Sequence, residues 1–317
     1  MGFFIPILTA VAKSIITGIA ISKAIQWLAP KPEIPEFTQE AEAQGVLVNK
    51  QSNNANIPVI YGTRKVGGVR VFLETSGTDN QYLYGAIVLA EGEINNITSI
   101  IVDDSTVTFS GSIADGTTIT SNDSKYGTTI QIQPFFGTDG QSASSLLTTL
   151  SSWTSNHKLS GLCYIAFRIT WDADKYIGIP TIQAVVQGRK VVSYNSSSVA
   201  QTAAFSTNPA WCLLDYLTNT RYGKGIPIGD IDIPSFYSAS QTAITQVTPY
   251  SGASQINLFD CNAVIDTAQK LIDNTRTILK GMRGFLPYTQ GKYKLIIETT
   301  GTAAITLTED DIIGGYN

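Results

Sequence analysis

Tyr82-Leu83-Tyr84-Gly85-Ala86-Ile87-Val88-Leu89-Ala90 decides the fold. The run is almost wholly apolar, nine residues long and rich in aromatic and β-branched side chains. That is too short for an ordinary helix and suits a strand buried on both faces. Similar segments lie on either side. Ile57 to Tyr61 and Val66 to Leu73 precede it, separated by turn residues. Ile97 to Val102 follows and ends at Asp103-Asp104, a turn pair. Cys163 to Thr170 and Thr181 to Val186 return to the same pattern. Between them, residues 105–160 carry short runs such as Thr117 to Thr120 and Thr128 to Ile132 among Gly, Ser and Asp, and predict an inserted, more exposed β lobe.

Past residue 195 the pattern changes. Asn195 to Thr207 is a polar connector. Asn208-Pro209-Ala210 opens a helix, with Asn as cap, Pro in the first turn and an apolar stripe of Ala210, Leu213, Leu214 and Leu217. Ser235 is a candidate cap for a short segment, and Thr242 to Val247 reads equally well as strand. Asn262 to Gly281 predicts an amphipathic helix through Val264, Ile265, Ala268, Leu271 and Ile272. Phe285 to Glu298 predicts a hairpin turning at Gln290-Gly291. The expected architecture is mainly β with α+β parts. It comprises an apolar N-terminal helix and Pro-rich linker at 1–36, a β domain at 37–194 with its lobe at about 105–160, and an α+β domain at 195–317.

The N-terminal run Phe3 to Ala29 admits three readings. A signal peptide wants basic residues before the apolar run and a small-residue cleavage site after it, but Lys13 and Lys23 lie inside the run. A membrane span wants about 20 apolar residues, and each central lysine costs roughly 2.5–3.5 kcal/mol. A helix docked on protein suits the spacing of Val11, Ile15 and Ile19 on one side. Pro30, Pro32 and Pro35 then enforce an extended linker.

Composition narrows the function. Charged residues make up 15% of 317, well below the usual quarter, with 25 acidic and 21 basic side chains. No basic run provides a footprint for specific nucleic-acid binding. A mildly acidic wall would let DNA slide past rather than hold it. Cys163, Cys212 and Cys261 are widely spaced and set among apolar neighbours, and they read as buried free thiols. With one histidine and no CxxC, neither a metal site nor a cofactor site is expected. No phosphate-binding, dinucleotide, zinc-protease or nucleophile-elbow motif occurs. His157 sits in polar Ser155-Asn156-His157-Lys158 and reads as a surface residue. The pairs Asp103-Asp104 and Asp310-Asp311 are adjacent carboxylates. On a strand such neighbours point to opposite faces, so neither pair alone provides the facing carboxyls of glycoside hydrolysis. The chain is expected not to be an enzyme.

Four segments, in order, resemble one family. Asn56-Ile57-Pro58-Val59-Ile60-Tyr61-Gly62 with Gly67-Gly68 is similar to the IP-x-x-YG region of phage tail-tip and baseplate hub proteins, including those of lambda-like siphophages and gene transfer agents. Glu91-Gly92-Glu93-Ile94 resembles their EGE-I segment. Asn208-Pro209-Ala210, Asp215 and Arg221-Tyr222-Gly223 resemble their NPA helix and its YG exit, and Met282-Arg283-Gly284 to Lys294 a later strand pair. The motif positions Ile57, Pro58, Tyr61, Gly62, Gly67, Gly68, Glu91, Gly92, Asn208, Pro209, Asp215, Arg221, Tyr222 and Gly223 are expected to be structural. Members are usually longer, so a fibre-bearing C-terminal region is expected to be absent or carried by another chain.

The resemblance implies a hub subunit of the virion, made in the host cytoplasm, at the distal end of the tail. It would form a homotrimer that closes the tail tube, contact distal tail proteins and the tape-measure protein, and connect to a tail fibre or receptor-binding protein during host attachment and DNA ejection. DNA would pass its lumen without specific binding. Val11, Ile15, Ile19 and Ile21 are expected to face the lumen or the tape measure, with transient host-membrane contact as a second state. A receptor- or glycan-binding adhesin is the alternative, with Tyr126, Phe135, Phe136 and Trp153 of the lobe as aromatic platforms. A cell-wall hydrolase is a third reading.

Overall fold

The computed structural model describes residues 55–298. The sequence expectations for Val11, Ile15, Ile19 and Ile21, and for Asp310-Asp311, lie outside them.

The chain is mainly β. Strands β1 (Val59–Tyr61), β2 (Thr63–Val66), β3 (Val69–Ser76), β4 (Tyr82–Glu91), β5 (Ile94–Val102), β6 (Ser105–Val107), β7 (Ile119–Thr120), β8 (Ile130–Phe136), β9 (Leu162–Thr170) and β10 (Ile182–Val191) come first. Five of them form an antiparallel sheet in the order β3-β4-β9-β8-β7. A second antiparallel sheet runs β11-β10-β5-β6, where β11 is Ala204–Phe205, and β2 also pairs with β10. The sheets face each other across a core. Ile87, Leu89, Ile132, Ile165 and Phe167 come from the first, and Ile97, Ile100, Ile182, Ala184 and Val186 from the second.

The run that opened the sequence reading is β4, an inner strand buried on both faces as its composition requires. Ile87 and Leu89 point into the core between the sheets, and Tyr84, Ala86 and Val88 into another on the outer side. That outer core also contains Phe135 and Tyr164 and is capped by Leu147, Leu150 and Trp153. The Asp103-Asp104 turn is a two-residue β5–β6 hairpin with both residues at positive φ, 44° and 61°, the geometry that matches strand twist.

Residues 105–160 are exposed only in part, as at residues 115–118 and 154–158. They supply β8, an inner strand, and the outer cap, because Ile130, Ile132 and Phe135 are as buried as any residue of the sheets. Two buried glutamines tie the cap down. Gln133 Nε2 donates to the Gly116 carbonyl at 2.8 Å, and its Oε1 accepts from Ser144 Oγ at 2.6 Å. Gln141 Nε2 reaches the Leu159 and Leu162 carbonyls at 2.6 and 3.1 Å. Tyr126, Phe135 and Trp153 are core residues, and Phe136 packs partly buried against the inner core, so none of the four is an open platform.

The C-terminal part has three helices: α1 (Pro209–Thr218), α2 (Ile233–Ala243) and α3 (Leu271–Gly281). Short strands fill the intervals, β12 (Gln246–Val247) with β13 (Ile256–Asn257), β14 (Ala263–Ile265) with β1, β15 (Gly284–Phe285) with β18 (Ile296–Ile297), and β16 (Tyr288–Thr289) with β17 (Lys292–Tyr293). The β16–β17 turn falls at Gln290-Gly291, as the sequence predicts. The long helix expected over 262–281 is shorter. Val264 and Ile265 are strand, paired with Ile60 and Val59, and Asp266 Oδ1 accepts from Ala268 N at 2.8 Å in a turn before α3. Ser235 lies in a full helix, α2, which ends at Ala243, and of the stretch that also read as strand Gln246–Val247 is strand β12. Asp232 rather than Ser235 caps the helix, and Oδ1 of Asp232 accepts from Ser235 N at 3.3 Å.

β1 joins the two parts by simple alternation. Ile60 points into the core between the sheets, whereas Val59 and Tyr61 point into the helical core with Trp211, Leu214 and Phe236.

Candidate functional site

At the far end of β1 the Tyr61 ring is fully buried, and its hydroxyl must find a partner inside the protein. It donates to Asp215 Oδ2 at 2.5 Å. Tyr222 donates to the same oxygen, also at 2.5 Å. Asp215 lies on the last turns of α1, and Tyr222 in the turn after it. Arg189, near the end of β10, brings Nε to 3.6 Å from the same Oδ2 and lays its guanidinium over the Tyr222 ring, 5.1 Å from the centroid. One carboxylate therefore ties β1, β10, α1 and the α1 exit together.

Electrostatics follows the packing. Burial, then the Asp215 charge, pushes the Tyr61 phenol well above its ordinary value, and the same two causes raise Tyr222. Both stay protonated as donors. Burial works against the Arg189 charge, but Tyr222 and Asp215 beside it outweigh burial and hold the guanidinium above its ordinary value.

A second ion pair lies alongside. Arg221 Nε is 2.6 Å from Glu91 Oε1, and Nη2 donates to Oε2 at 3.1 Å, a two-pronged contact from the α1 exit to the end of β4. Two clefts flank it. One is lined by Gly92, Glu93, Gly137, Asp139 and Arg189, the other by Ile57, Gly223, Thr267, Gln269 and Leu271. Glycine is required at two positions here. Gly92 has φ +79° and a Cβ would strike the Arg189 guanidinium, and Gly62 has φ +67° with a Cβ driven into the Cys261 carbonyl.

Residues predicted from three separated motifs thus meet in one place. Tyr61, Glu91, Gly92, Asp215, Arg221 and Tyr222 form the joint. Ile57, Pro58, Gly62 and Gly223 brace it: Pro58 accepts from Glu91 N at 2.9 Å, and Ile57 from Thr267 Oγ1 at 3.0 Å. Gly67 and Gly68 lie elsewhere, in the β2–β3 turn, where a Cβ on Gly68 (φ +68°) would strike the Val88 carbonyl. Asn208 and Pro209 sit at the other end of α1. There Asn208 Oδ1 caps the helix through Ala210 N at 3.1 Å, and Nδ2 reaches the Ser240 carbonyl on α2 at 3.0 Å. The sequence reading missed Arg189. Its signal was a basic pair, Arg189-Lys190, ending an otherwise apolar strand just after Gly188. Lys190 pairs with Glu93 at 2.6 Å. All three cysteines are buried free thiols, as expected. His157 is exposed, with Nδ1 accepting from Thr154 N at 2.9 Å. Among the described residues no group of three or more His, Cys, Asp or Glu is placed to hold a metal ion.

The central carboxylate of the joint is committed to two phenols and a guanidinium. No protein-family model matches the chain. It is 26% identical over 319 aligned residues to baseplate hub protein pb3 of Escherichia phage T5, an alignment covering 81% of this chain and 33% of the relative. The chain thus spans about a third of that relative's length. A chain from the virion of a native gene transfer agent particle overlays with a TM-score of 0.47 at 11% identity, covering 84% of this chain and 58% of that one. The chain is thus similar over most of its length to a phage baseplate hub protein.

Proposed function

We propose that the chain is a non-enzymatic hub subunit that closes the distal end of the tail tube and connects it to host-recognition fibres. The observation that carries this reading is the Tyr61–Asp215–Tyr222 joint with its Arg221–Glu91 brace. It locks a double-sheet body to a helical body through groups already paired with one another, which suits a rigid load-bearing collar. The likeness to pb3 supports the same reading.

On this reading the subunit works as a homotrimer, since a closed ring presents one face to the next copy and leaves no open edge. It seats on distal tail proteins and the tube, meets the tape-measure protein, carries a fibre or receptor-binding protein and takes part in host attachment and DNA ejection. DNA passes the lumen without specific binding. Residues 1–36, 37–194 and 195–317 serve as its working units. Val11, Ile15, Ile19 and Ile21 contact the lumen or the tape measure, and can meet the host membrane once the plug opens.

A phage carrying an amber mutation in this gene tests it. Negative-stain microscopy should find tails missing or open at the distal end, and complementation should restore them. Complete, closed tails without the chain would overturn the proposal, and a ring of another order in native mass spectra would overturn the trimer. Ile15→Asp with Ile19→Asp should leave the sheets folded but lose tape-measure retention; normal DNA delivery would refute the lumen contact.

A further inference from the structure

The β9–β10 loop, residues 171–181, presents apolar side chains to solvent on a fixed support. Ile177 is fully exposed and Ile179 half exposed. Beneath them Tyr176 is pinned. It stacks on Tyr126 with ring centroids 5.7 Å apart, and its hydroxyl lies 2.5 Å from Thr129 Oγ1. Lys175 N and Tyr176 N both donate to the Asp172 carbonyl at 3.0 Å, and Thr181 N donates to Asp103 Oδ1 at 2.9 Å. A second apolar patch lies on the C-terminal part. Phe285 on β15 and Ile296 on β18 are paired across their ladder, so they share a face, and they are 60% and 44% exposed. We propose that the β9–β10 loop of one copy docks through Ile177 and Ile179 on the Phe285–Ile296 face of a second copy, an inference that rests on the ring reading above.

Charge identifies the occupant. The loop and the adjoining β5–β6 turn hold four carboxylates, Asp103, Asp104, Asp172 and Asp174. Lys175 pairs with Asp172 at 2.8 Å, Lys65 with Asp104 at 3.8 Å, and Lys125 reaches Ser105 next to the turn at 3.3 Å. Asp174 remains the unmatched charge of the tip. Residues 270–298 have the opposite excess, six basic side chains against two acidic. Both acids are taken within the segment, Asp273 by Arg276 at 3.6 Å and Glu298 by Arg283 at 2.9 Å. Alternation puts Lys292, Lys294 and Ile296 on the exposed side of the hairpin, with Leu295 and Ile297 inside. Neither lysine makes an ion pair among the described residues. An apolar tip with surplus negative charge thus matches an apolar pair flanked by positive charge. A lipid surface fits less well, since anionic headgroups repel a tip rimmed by carboxylates.

The two patches do not cover each other within one copy, because each is exposed in a chain that contains both. Tip and receiving face are different surfaces, so the contact is head-to-tail, and such contacts close into a ring when the rotation between copies allows it. The pinned loop has little conformational freedom left to lose on docking.

Sedimentation and native mass spectrometry of the purified full chain at rising concentration test the contact. Wild type should associate, and about 0.5 M salt should weaken the association. Ile177→Ser with Ile179→Ser, and separately Phe285→Ser, should each weaken it about tenfold or more, with far-UV circular dichroism unchanged. Mixed where neither variant associates alone, the two should form a one-to-one pair and nothing larger, because one intact tip and one intact face remain. Unchanged association of the loop variant would overturn the docking and leave the ring reading standing. A wild type that stays monomeric at about 100 μM would remove contact and ring together. A monomer that instead binds vesicles of phosphatidylethanolamine and phosphatidylglycerol through Ile177 would overturn the docking in favour of a lipid surface. Ile177 and Ile179 are exposed, so the loop variant keeps its fold and decides the question even where Phe285→Ser does not fold.

Discussion

Asp215 and Tyr61 show how much one buried polar contact decides. Replacing Asp215 with Asn keeps the shape but removes the charge opposite Arg189, and leaves two phenols sharing a weaker acceptor. The loss of a largely buried, hydrogen-bonded charge predicts a destabilisation of about 2–3 kcal/mol, read as a lower urea midpoint. An unchanged midpoint would show that the cluster is incidental. The raised phenols give a pH signature. In the unfolded chain they ionise near pH ~10, while in the fold Tyr61 and Tyr222 hold their protons well past that. Their contribution is thus complete below pH ~10 and drains away as pH climbs toward the folded values, by about 1.4 kcal/mol per pH unit for each ring. Tyr61→Phe should flatten the alkaline decline by one such slope in denaturation curves between about pH 10 and 11.5. The buried thiols contribute equally to wild type and variant, so the difference isolates the phenol.

Among elements, the outer cap formed by residues 137–162 has the least regular structure, yet it seals a core. Trp153 is 4% exposed and meets Phe72 edge-on at 5.0 Å. Trp153→Ala should cost about 3–5 kcal/mol and open the cap to limited proteolysis near residues 140–160; an unaltered digest would contradict the burial described above. This segment also marks where sequence reasoning ran out. β4 was legible because nine apolar residues in a row leave one solution. The α1 cap was legible because Asn208-Pro209 satisfies the orphan donors of a helix start. The cap was not, since it is held by Gln133 and Gln141 reaching distant carbonyls, and glutamine among Ser and Gly looks like solvated loop. Val264 and Ile265 match a helical stripe as well as a strand, and only their pairing with β1 decides between the two. The joint was half legible. Its family-motif members could be named individually, but their convergence on one carboxylate, and the part of Arg189, depend on contacts between residues more than 100 positions apart in places.

At the scale of the molecule, β1 makes one cooperative unit of two cores, because Ile60 faces one and Val59 and Tyr61 the other. Scanning calorimetry should therefore record a single transition, and Asp215→Asn should broaden or split it; two resolved transitions in the native protein would rule out the coupling. The same strand has a consequence for inheritance. β1 is encoded ahead of both sheets, yet two of its three side chains belong to the helical body encoded after them. A recombinant that acquired only the later half of this gene from another lineage would receive α1 with its aspartate but keep the resident β1, and the two surfaces would be mismatched. Crossovers that bring in everything from upstream of Val59 keep the halves compatible, so mosaic forms of this gene should have their breakpoints outside the interval from β1 to α3.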